Sequence, residues 1–352
     1  MKICVYAISL NEEKFVKNFY NSCKEADLIL LADTGSTDST VEIAKNLGIQ
    51  VRDIYINPWR FDHARNTALA LIPKDYDVCI SLDLDEELLP GWRDEIEKVW
   101  SPTTTQLQHR FNNGSDNIYN AVRVHKRTGY TWHHLCHEII KIDSRVTEVF
   151  AVSDKILIEH KPDQTKSRGQ YLPMLEAAVK ENPYSSRNRF YLAREYWYHN
   201  LYEDSIREFE KYLTMPDSTW YHERCFALRI IGSCHLRLGR NDQALTKYRQ
   251  AIEQARHIRE PWLDLAQACY DLKQWSECFY AATSGLAITT NDYAYTGDSI
   301  VWGEKLYDLA AISAYYLGYK EQAKYYGDLA CEANPTDQRL QENTKFYNAK
   351  DN

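Results

Sequence analysis

Short apolar runs divided by segments of helical length constrain the first half of this chain more than any other feature. The apolar runs are residues 3–8, 28–32, 49–54 and 78–82. The segments between them space their apolar residues as amphipathic helices do, at about 12–23, 41–47 and 62–71. Strands of such continuous apolar character are buried on both faces. The pattern therefore predicts an α/β domain whose mostly parallel, Rossmann-like sheet is covered by helices on both sides.

The second half has a different pattern of predicted elements, because strand signals stop at about residue 172 and helix pairs follow. The segments NLYEDSI, GRNDQAL, KQWSECF and GYKEQAK superpose when Asn200, Gly239, Lys273 and Gly318 are aligned, at spacings of 39, 34 and 45 residues. The pattern resembles tetratricopeptide repeats, whose unit is about 34 residues. We therefore predict an all-α repeat domain over residues 169–352, after an α/β domain over residues 1–168.

Charge and composition exclude several classes of protein. Of the 352 residues 44% are hydrophobic and 26% charged, which is typical of a globular chain. Residues 1–170 and residues 171–352 each carry 21 Lys and Arg against 25 Asp and Glu, so neither half is a basic nucleic-acid module. No apolar run reaches the length of a membrane span, and the nine cysteines form no CxxC pair. We expect reduced thiols and a cytoplasmic location.

Acids and amides follow three of the four predicted strands, where ligands bind in open parallel sheets. Asp83 and Asp85 come just after a buried strand, and extended geometry points alternate side chains the same way. A hard divalent cation such as Mg²⁺ or Mn²⁺ would offset their repulsion and share its other positions with phosphates. The alternative is a solvated acidic turn. Asp33, which follows the second strand, could accept hydrogen bonds from a nucleobase or a ribose.

Four segments taken in order resemble the family 2 glycosyltransferases of the GT-A fold. They are NEE (11–13), DTGSTDST (33–40), WRFDHARNTAL (59–69) and SLDLDEE (81–87), and the resemblance covers about residues 1–165. It implies a nucleoside diphosphate sugar as donor, with a UDP-sugar favoured, and Mn²⁺ or Mg²⁺ as cofactor. It further implies inversion at the anomeric carbon, by one displacement that a carboxylate base assists.

The resemblance also assigns roles to single residues. It places Asp33 at the nucleotide base, Asp83 near the ribose and the metal, and Asp85 on the metal directly. The amide and carboxylate of the NEE segment that bind the nucleotide are Asn11 and Glu12. The pair that supports the nucleotide and its diphosphate is Arg65 and Asn66; the alternative for this pair is a surface ion pair with Asp62.

Two further segments are expected to contribute residues to the site. The segment GYTWHHLCHEII (129–140) resembles one that follows the metal motif in bacterial members, and it would place His137 and Glu138 over the sugar, with Glu138 accepting the proton of the acceptor. A structural histidine with a surface glutamate, or a zinc site, are the alternatives. His160 would complete the metal shell, although Pro162 replaces the usual glycine nearby. Lys166 and Arg168 would screen the diphosphate or be linker charges.

These expectations define a hexosyl- or pentosyltransferase whose repeats recognise a protein or peptide acceptor or form a homo-oligomer. A glycan or a modified nucleobase are the other acceptors. Nucleic acid is the less favoured of these because each half is acidic, although residues 123–127 form a short basic stripe. The alternative from a different class is a repeat scaffold with a catalytically silent nucleotide-binding domain.

Overall fold

The computed structural model describes residues 1–114, 117–163 and 169–348. The chain forms two compact units, Met1–Glu181 and Asn182–Asn352. The division therefore falls after Glu181, whereas the sequence pattern put it at residue 168. Helix Tyr171–Glu181 lies with the first unit because the Tyr171 ring stacks on Phe61 at 6.4 Å and Glu181 pairs with Arg60 at 2.7 Å. Lys166 and Arg168 lie outside the described residues.

The first unit contains ten strands and five helices in its described part. The strands are β1 (Ile3–Ser9), β2 (Leu28–Asp33), β3 (Gln50–Asp53), β4 (Val78–Ser81), β5 (Glu86–Leu88), β6 (Gln106–Asn112), β7 (Ile118–Lys126), β8 (Tyr130–His133), β9 (Ile139–Ile142) and β10 (Phe150–His160). The helices are α1 (Val16–Cys23), α2 (Thr40–Asn46), α3 (Phe61–Leu71), α4 (Trp92–Val99) and α5 (Tyr171–Glu181).

Eight of these strands form one sheet in the order β3-β2-β1-β4-β7-β6-β10-β5, and β8 pairs with β9. Strands β3, β2, β1 and β4 are parallel, as are β6 and β10, so the predicted mostly parallel α/β sheet is confirmed. Alternate β1 residues bury on opposite faces: Val5 packs in the cluster with Phe19 of α1, and Tyr6 in the cluster with Leu69 of α3. Helices cover both faces of the sheet. Because β1, β2 and β4 are parallel, their carboxyl ends lie at the same edge of the sheet.

The second unit is all-helical. Its helices are α6 (Ser186–Tyr198), α7 (Tyr202–Thr214), α8 (Tyr221–Arg237), α9 (Asn241–Gln254), α10 (Glu260–Asp271), α11 (Trp275–Leu286), α12 (Lys305–Tyr316), α13 (Lys320–Ala333) and α14 (Gln338–Tyr347), with a short 3₁₀ turn at Ser299–Trp302. Helices α6 to α13 form four pairs. The turns within the pairs hold Asn200, Gly239, Lys273 and Gly318, all at positive φ between 58° and 79°. These are the four positions that the sequence superposes, so the predicted repeat register is confirmed.

The long spacing before the fourth pair comes from residues 287–304, which connect α11 to α12 and fold back on earlier helices. Tyr295 donates to Glu223 of α8 at 2.6 Å. Arg259, next to α10, donates to the carbonyl oxygens of Ile288 and Val301. The connection is thus packed against the repeats. All nine cysteines are free and eight are buried, as the sequence predicted. No helix in the described ranges is both long enough and apolar enough to cross a membrane.

Candidate active site

The carboxylate of Asp33 lies at the end of β2, in register with Ser9 at the end of β1. Its Oδ1 accepts from the hydroxyl groups of Ser9 and Ser36, and its Oδ2 accepts from the backbone N–H groups of Gly35 and Ser36. These four bonds match the accepting capacity of one carboxylate. Asp33 therefore fixes its own turn in this structure, and its contact with a nucleobase stays a prediction.

The loop after β1 interlocks with the same turn. The side-chain oxygen of Asn11 accepts from the N–H of Thr37 at 2.8 Å, and the N–H of Glu12 donates to the hydroxyl of Thr40 at 2.7 Å. Asn11 has a φ of 56°, a conformation that asparagine tolerates better than most residues. Both predicted nucleotide-binding residues thus lie at the carboxyl edge of the sheet, beside Asp33.

Arg65 of α3 connects two of the predicted carboxylates. Its Nη2 donates to Asp83 at 2.7 Å, its Nε donates to Glu138, and its Nη1 donates to the hydroxyl of Ser81 at 3.2 Å. The guanidinium also lies 5.1 Å from the ring centre of Trp132. Arg65 is only 4% exposed. The alternative of a surface ion pair with Asp62 is wrong, because Asp62 pairs with Arg60.

Cations around Asp83 keep it charged. Burial raises the pKa of Asp83, but the nearby charges of Arg65 and Arg123 outweigh it and lower the pKa to about 2. Glu86, which is buried although Asp83 is partly exposed, accepts from the N–H of Asp83 at 3.0 Å and pairs with Arg123 at 3.1 Å. Burial raises its pKa to about 7. Nothing in the sequence distinguished Glu86 from a solvated acid, because its partner Arg123 lies 37 residues away on β7.

The same contacts change the interpretation of residues 123–127. Arg123 pairs with the buried Glu86, His125 is fully buried, and Arg127 donates to the carbonyl oxygen of Ile72. These three side chains contact groups inside the fold and do not project together into solvent. The segment therefore forms no basic surface stripe, which removes the one local feature that favoured nucleic acid.

Asn66 and Trp132 are joined by two hydrogen bonds. The Asn66 amide donates to the Trp132 carbonyl oxygen and accepts from the Trp132 N–H, both at 2.8 Å. The side chain thus ties α3 to β8, the strand that precedes Glu138. A diphosphate contact for Asn66 remains a prediction.

Beneath this pair lies a buried chain of hydrogen bonds that the sequence does not predict. The Trp132 Nε1 donates to the Tyr6 hydroxyl at 2.9 Å, and that hydroxyl lies 2.9 Å from Nε2 of His125. The other ring nitrogen of His125 faces the Lys126 carbonyl oxygen at 2.8 Å and so carries the proton. Tyr6 therefore donates to His125, and burial lowers the pKa of His125 to about 4. No motif signals this network, because its members come from β1, β7 and β8.

Asp85 and His160 lie beside each other although 75 residues separate them. His160 ends β10, pairs with Glu86 of β5, and places its Nε2 3.3 Å from Oδ2 of Asp85. Burial lowers the pKa of His160, but the hydrogen bond and charge of Asp85 outweigh it and raise the pKa. Gly114 permits this arrangement, since a Cβ there would lie 2.7 Å from the His160 carbonyl oxygen and from Pro162.

The remaining predicted residue, His137, has a φ of 50° and stacks its ring 5.7 Å from Tyr171 of α5. Within the described residues, no three or more His, Cys, Asp and Glu side chains form a group that could hold a metal ion by themselves. Asp85 and His160 would need oxygen ligands from a bound molecule to complete a metal shell.

These features define the class of the first unit as an α/β domain with an acidic site beyond the carboxyl ends of its parallel strands. Residues 4–159 match the family model described as Glycosyl transferase family 2. The first unit therefore carries a family 2 glycosyltransferase domain, as the sequence motifs predicted.

Curated relatives are similar to this chain over about a third of its length. An uncharacterized glycosyltransferase of Rickettsia bellii (strain RML369-C) is 34% identical over 111 residues, which are 31% of this chain and 35% of the relative. One of Rickettsia prowazekii (strain Madrid E) is 34% identical over 112 residues, which are 31% and 36% of the two chains. The chain thus spans about a third of the length of these curated relatives.

Two solved structures are matched over about half of the chain. MamA has a TM-score of 0.39 at 15% identity and covers 48% of this chain and 89% of its own. YrrB, described as a TPR protein with an unusual peptide-binding site, has a TM-score of 0.39 at 15% identity, with 51% and 83% covered. Similarity at this level supports no inference about a ligand.

Proposed function

We propose that this protein transfers a sugar from a nucleoside diphosphate sugar, with a UDP-sugar favoured, to an acceptor and that it depends on Mg²⁺ or Mn²⁺. The observation that carries the proposal is the pairing of Asp85 with His160 at 3.3 Å, inside a family 2 domain. Two ligand atoms of one small divalent ion lie about 3 Å apart, so this pair suits adjacent positions in such a shell. A carboxylate and an imidazole are both accepted ligands of Mn²⁺.

Asp85 and His160 would hold the metal, and Asp83 would lie beside the nucleotide. The bound ion would stabilise the negative charge that develops on the departing diphosphate. Arg65 keeps Asp83 ionised and oriented, since the guanidinium is buried and donates to Asp83, Glu138 and Ser81. Asn11, Glu12 and Asp33, at the ends of β1 and β2, would contact the nucleotide.

Glu138 is the proposed base. Its Oε1 accepts from Arg65, and within the described residues its Oε2 makes no hydrogen bond, so Oε2 is the oxygen that would take the proton of the acceptor. A direct displacement of this kind inverts the anomeric carbon. The anomeric configuration of the product, read by proton NMR, tests this step, and a product of retained configuration would contradict it.

The first experiment incubates the full chain with a panel of nucleoside diphosphate sugars and Mn²⁺ or Mg²⁺, and measures released diphosphate with and without a chelator. We expect metal-dependent release from one donor and its loss in Asp85→Ala. The matched control is Asp75→Ala, which removes a surface carboxylate that pairs with Lys2 at 2.5 Å before β4. Release by the control should equal that of the wild type.

Two results would contradict the proposal. Release that persists in Asp85→Ala or in chelator would remove the metal assignment. Donor binding without turnover, across the panel and with acceptor mixtures present, would favour the alternative of a scaffold with a silent domain.

A further inference from the structure

The second unit contains a cavity that the side chains of its own helices do not fill. It has a volume of about 860 Å³ and is formed by the end of α10, the start of α11, helix α12 and helix α14. Six of its eleven lining residues are aromatic, and Trp275, Tyr316 and Phe346 are among them. A volume of this order lies in the range of small-molecule sites.

Aromatic rings make up most of the wall, and several of them stay open to solvent. Trp275 and Tyr316 are stacked, with ring centres 4.2 Å apart and an angle of 9° between their planes. Tyr316 is nevertheless 59% exposed and Phe346 is 65% exposed. Flat apolar faces that a fold leaves uncovered at a cavity mark a binding site more often than a packing fault. The rings thus offer platforms for a ligand with flat apolar faces.

The polar groups of the cavity are nearly balanced in charge. Asp271 and Lys273 carry opposite charges, and Arg339 pairs with Asp308 at 2.8 Å. Asn343 adds an uncharged amide. A phosphorylated or strongly charged ligand would find no net opposite charge here. Ile312 is the single aliphatic side chain in the lining, so the cavity is also unlike a groove that receives the leucines of an amphipathic helix.

We propose that this cavity binds an uncharged oligosaccharide. A pyranose ring has an apolar face of C–H groups, which packs on an aromatic ring, and a rim of hydroxyl groups, which pair with carboxylate, amide and guanidinium groups. Tyr316, Trp275 and Phe346 supply the first kind of surface, and Asp271, Asn343 and Arg339 supply the second. The binding does not depend on the proposed transfer. The further statement that the bound glycan is the acceptor of the sugar rests on the proposed function.

The test uses the full chain and four uncharged trisaccharides: maltotriose, cellotriose, mannotriose and triacetylchitotriose. Saturation-transfer NMR and calorimetry measure binding. We expect at least one to bind with a Kd below about 10 mM. Tyr316→Ser and Phe346→Ser should each weaken that binding by about fivefold, the worth of one lost ring contact. Thermal melts confirm that each variant is folded.

The matched control is Tyr325→Ser on α13, which removes a ring that is 60% exposed but lies outside the cavity lining. Its affinity should stay within about twofold of the wild type. Asp85→Ala should also bind the trisaccharide normally, which separates this proposal from the catalytic one. A failed donor screen with intact trisaccharide binding would leave the cavity assignment standing.

Three results would overturn the proposal. The first is that no trisaccharide binds with a Kd below about 10 mM. Binding of a hexaproline peptide in that case would indicate an extended peptide as the ligand. The second is binding that Tyr316→Ser and Phe346→Ser leave unchanged. The third is a dimer, seen by light scattering, that Tyr316→Ser dissociates, because the cavity would then receive a second copy of the chain.

Discussion

Asn66 and Trp132 exchange two hydrogen bonds of 2.8 Å between the middle of α3 and the strand β8. Asn66→Asp keeps the shape of the side chain but replaces the donating amide with an oxygen that faces the Trp132 carbonyl. We expect a loss of about 1–3 kcal/mol of unfolding free energy, the cost of an unmet polar group. Urea titration measures it. Asn18→Asp, at an exposed position of α1, should change little; an equal effect of both would contradict the role of the pair.

Arg65→Met should destabilise the first unit strongly, because it leaves Asp83 and Glu138 without their shared cation. Removing one partner of a buried ion pair costs about 3–5 kcal/mol, which applies to Glu138, and the cost is smaller for Asp83 because its side chain is 38% exposed. Arg145→Met is the matched control, since Arg145 pairs with Asp143 but is 86% exposed in its side chain. Thermal unfolding should move the midpoint of the first variant down and leave the second unchanged. Equal midpoints for the two variants would show that the Arg65 network adds no stability.

Two buried histidines should lower the stability in mild acid, and together they outweigh Glu86, whose pKa of about 7 contributes with the opposite sign in the same range. Burial lowers the pKa of His109 and of His125 from 6.5 to about 4. Both are neutral when folded, so the unfolded chain binds more protons between pH 6.5 and 4, and the folded state loses stability as the pH falls through that window. Each can contribute a loss of about 3 kcal/mol. Urea titrations across this range should give a smaller pH slope for His125→Asn, and an unchanged slope would contradict the assignment.

Gly239 lies in the turn between α8 and α9 with a φ of 72°, and a Cβ there would meet nothing within 4 Å. Gly239→Ala should therefore lose about 1–2 kcal/mol through backbone conformation alone. Gly239→Asn should lose less, because Asn200 holds the equivalent turn at a φ of 59°. Circular-dichroism melts of the two variants measure the difference. The reverse order, with alanine better tolerated than asparagine, would rule out backbone strain as the cause.

The sequence by itself determined the first four strands and the helices between them, the acids at the ends of those strands and the four turns of the repeats. Hydrophobic periodicity and turn conformation are local properties, so they can be recognised within a short window. The same local patterns placed Asp33, Asp83 and Asp85 at one edge of the sheet, because the ends of parallel strands meet there.

Only the tertiary structure decided which side chains meet. Arg65 contacts Glu138 across 73 residues, Asp85 contacts His160 across 75, and Tyr6 contacts His125 across 119. Glu86, one residue beyond the acid pair, is buried against Arg123, although its neighbours suggested a solvated turn. Partner choice among buried polar groups depends on strand register and on which face a residue occupies after packing. Those are properties of the assembled sheet, and no short window of sequence contains them.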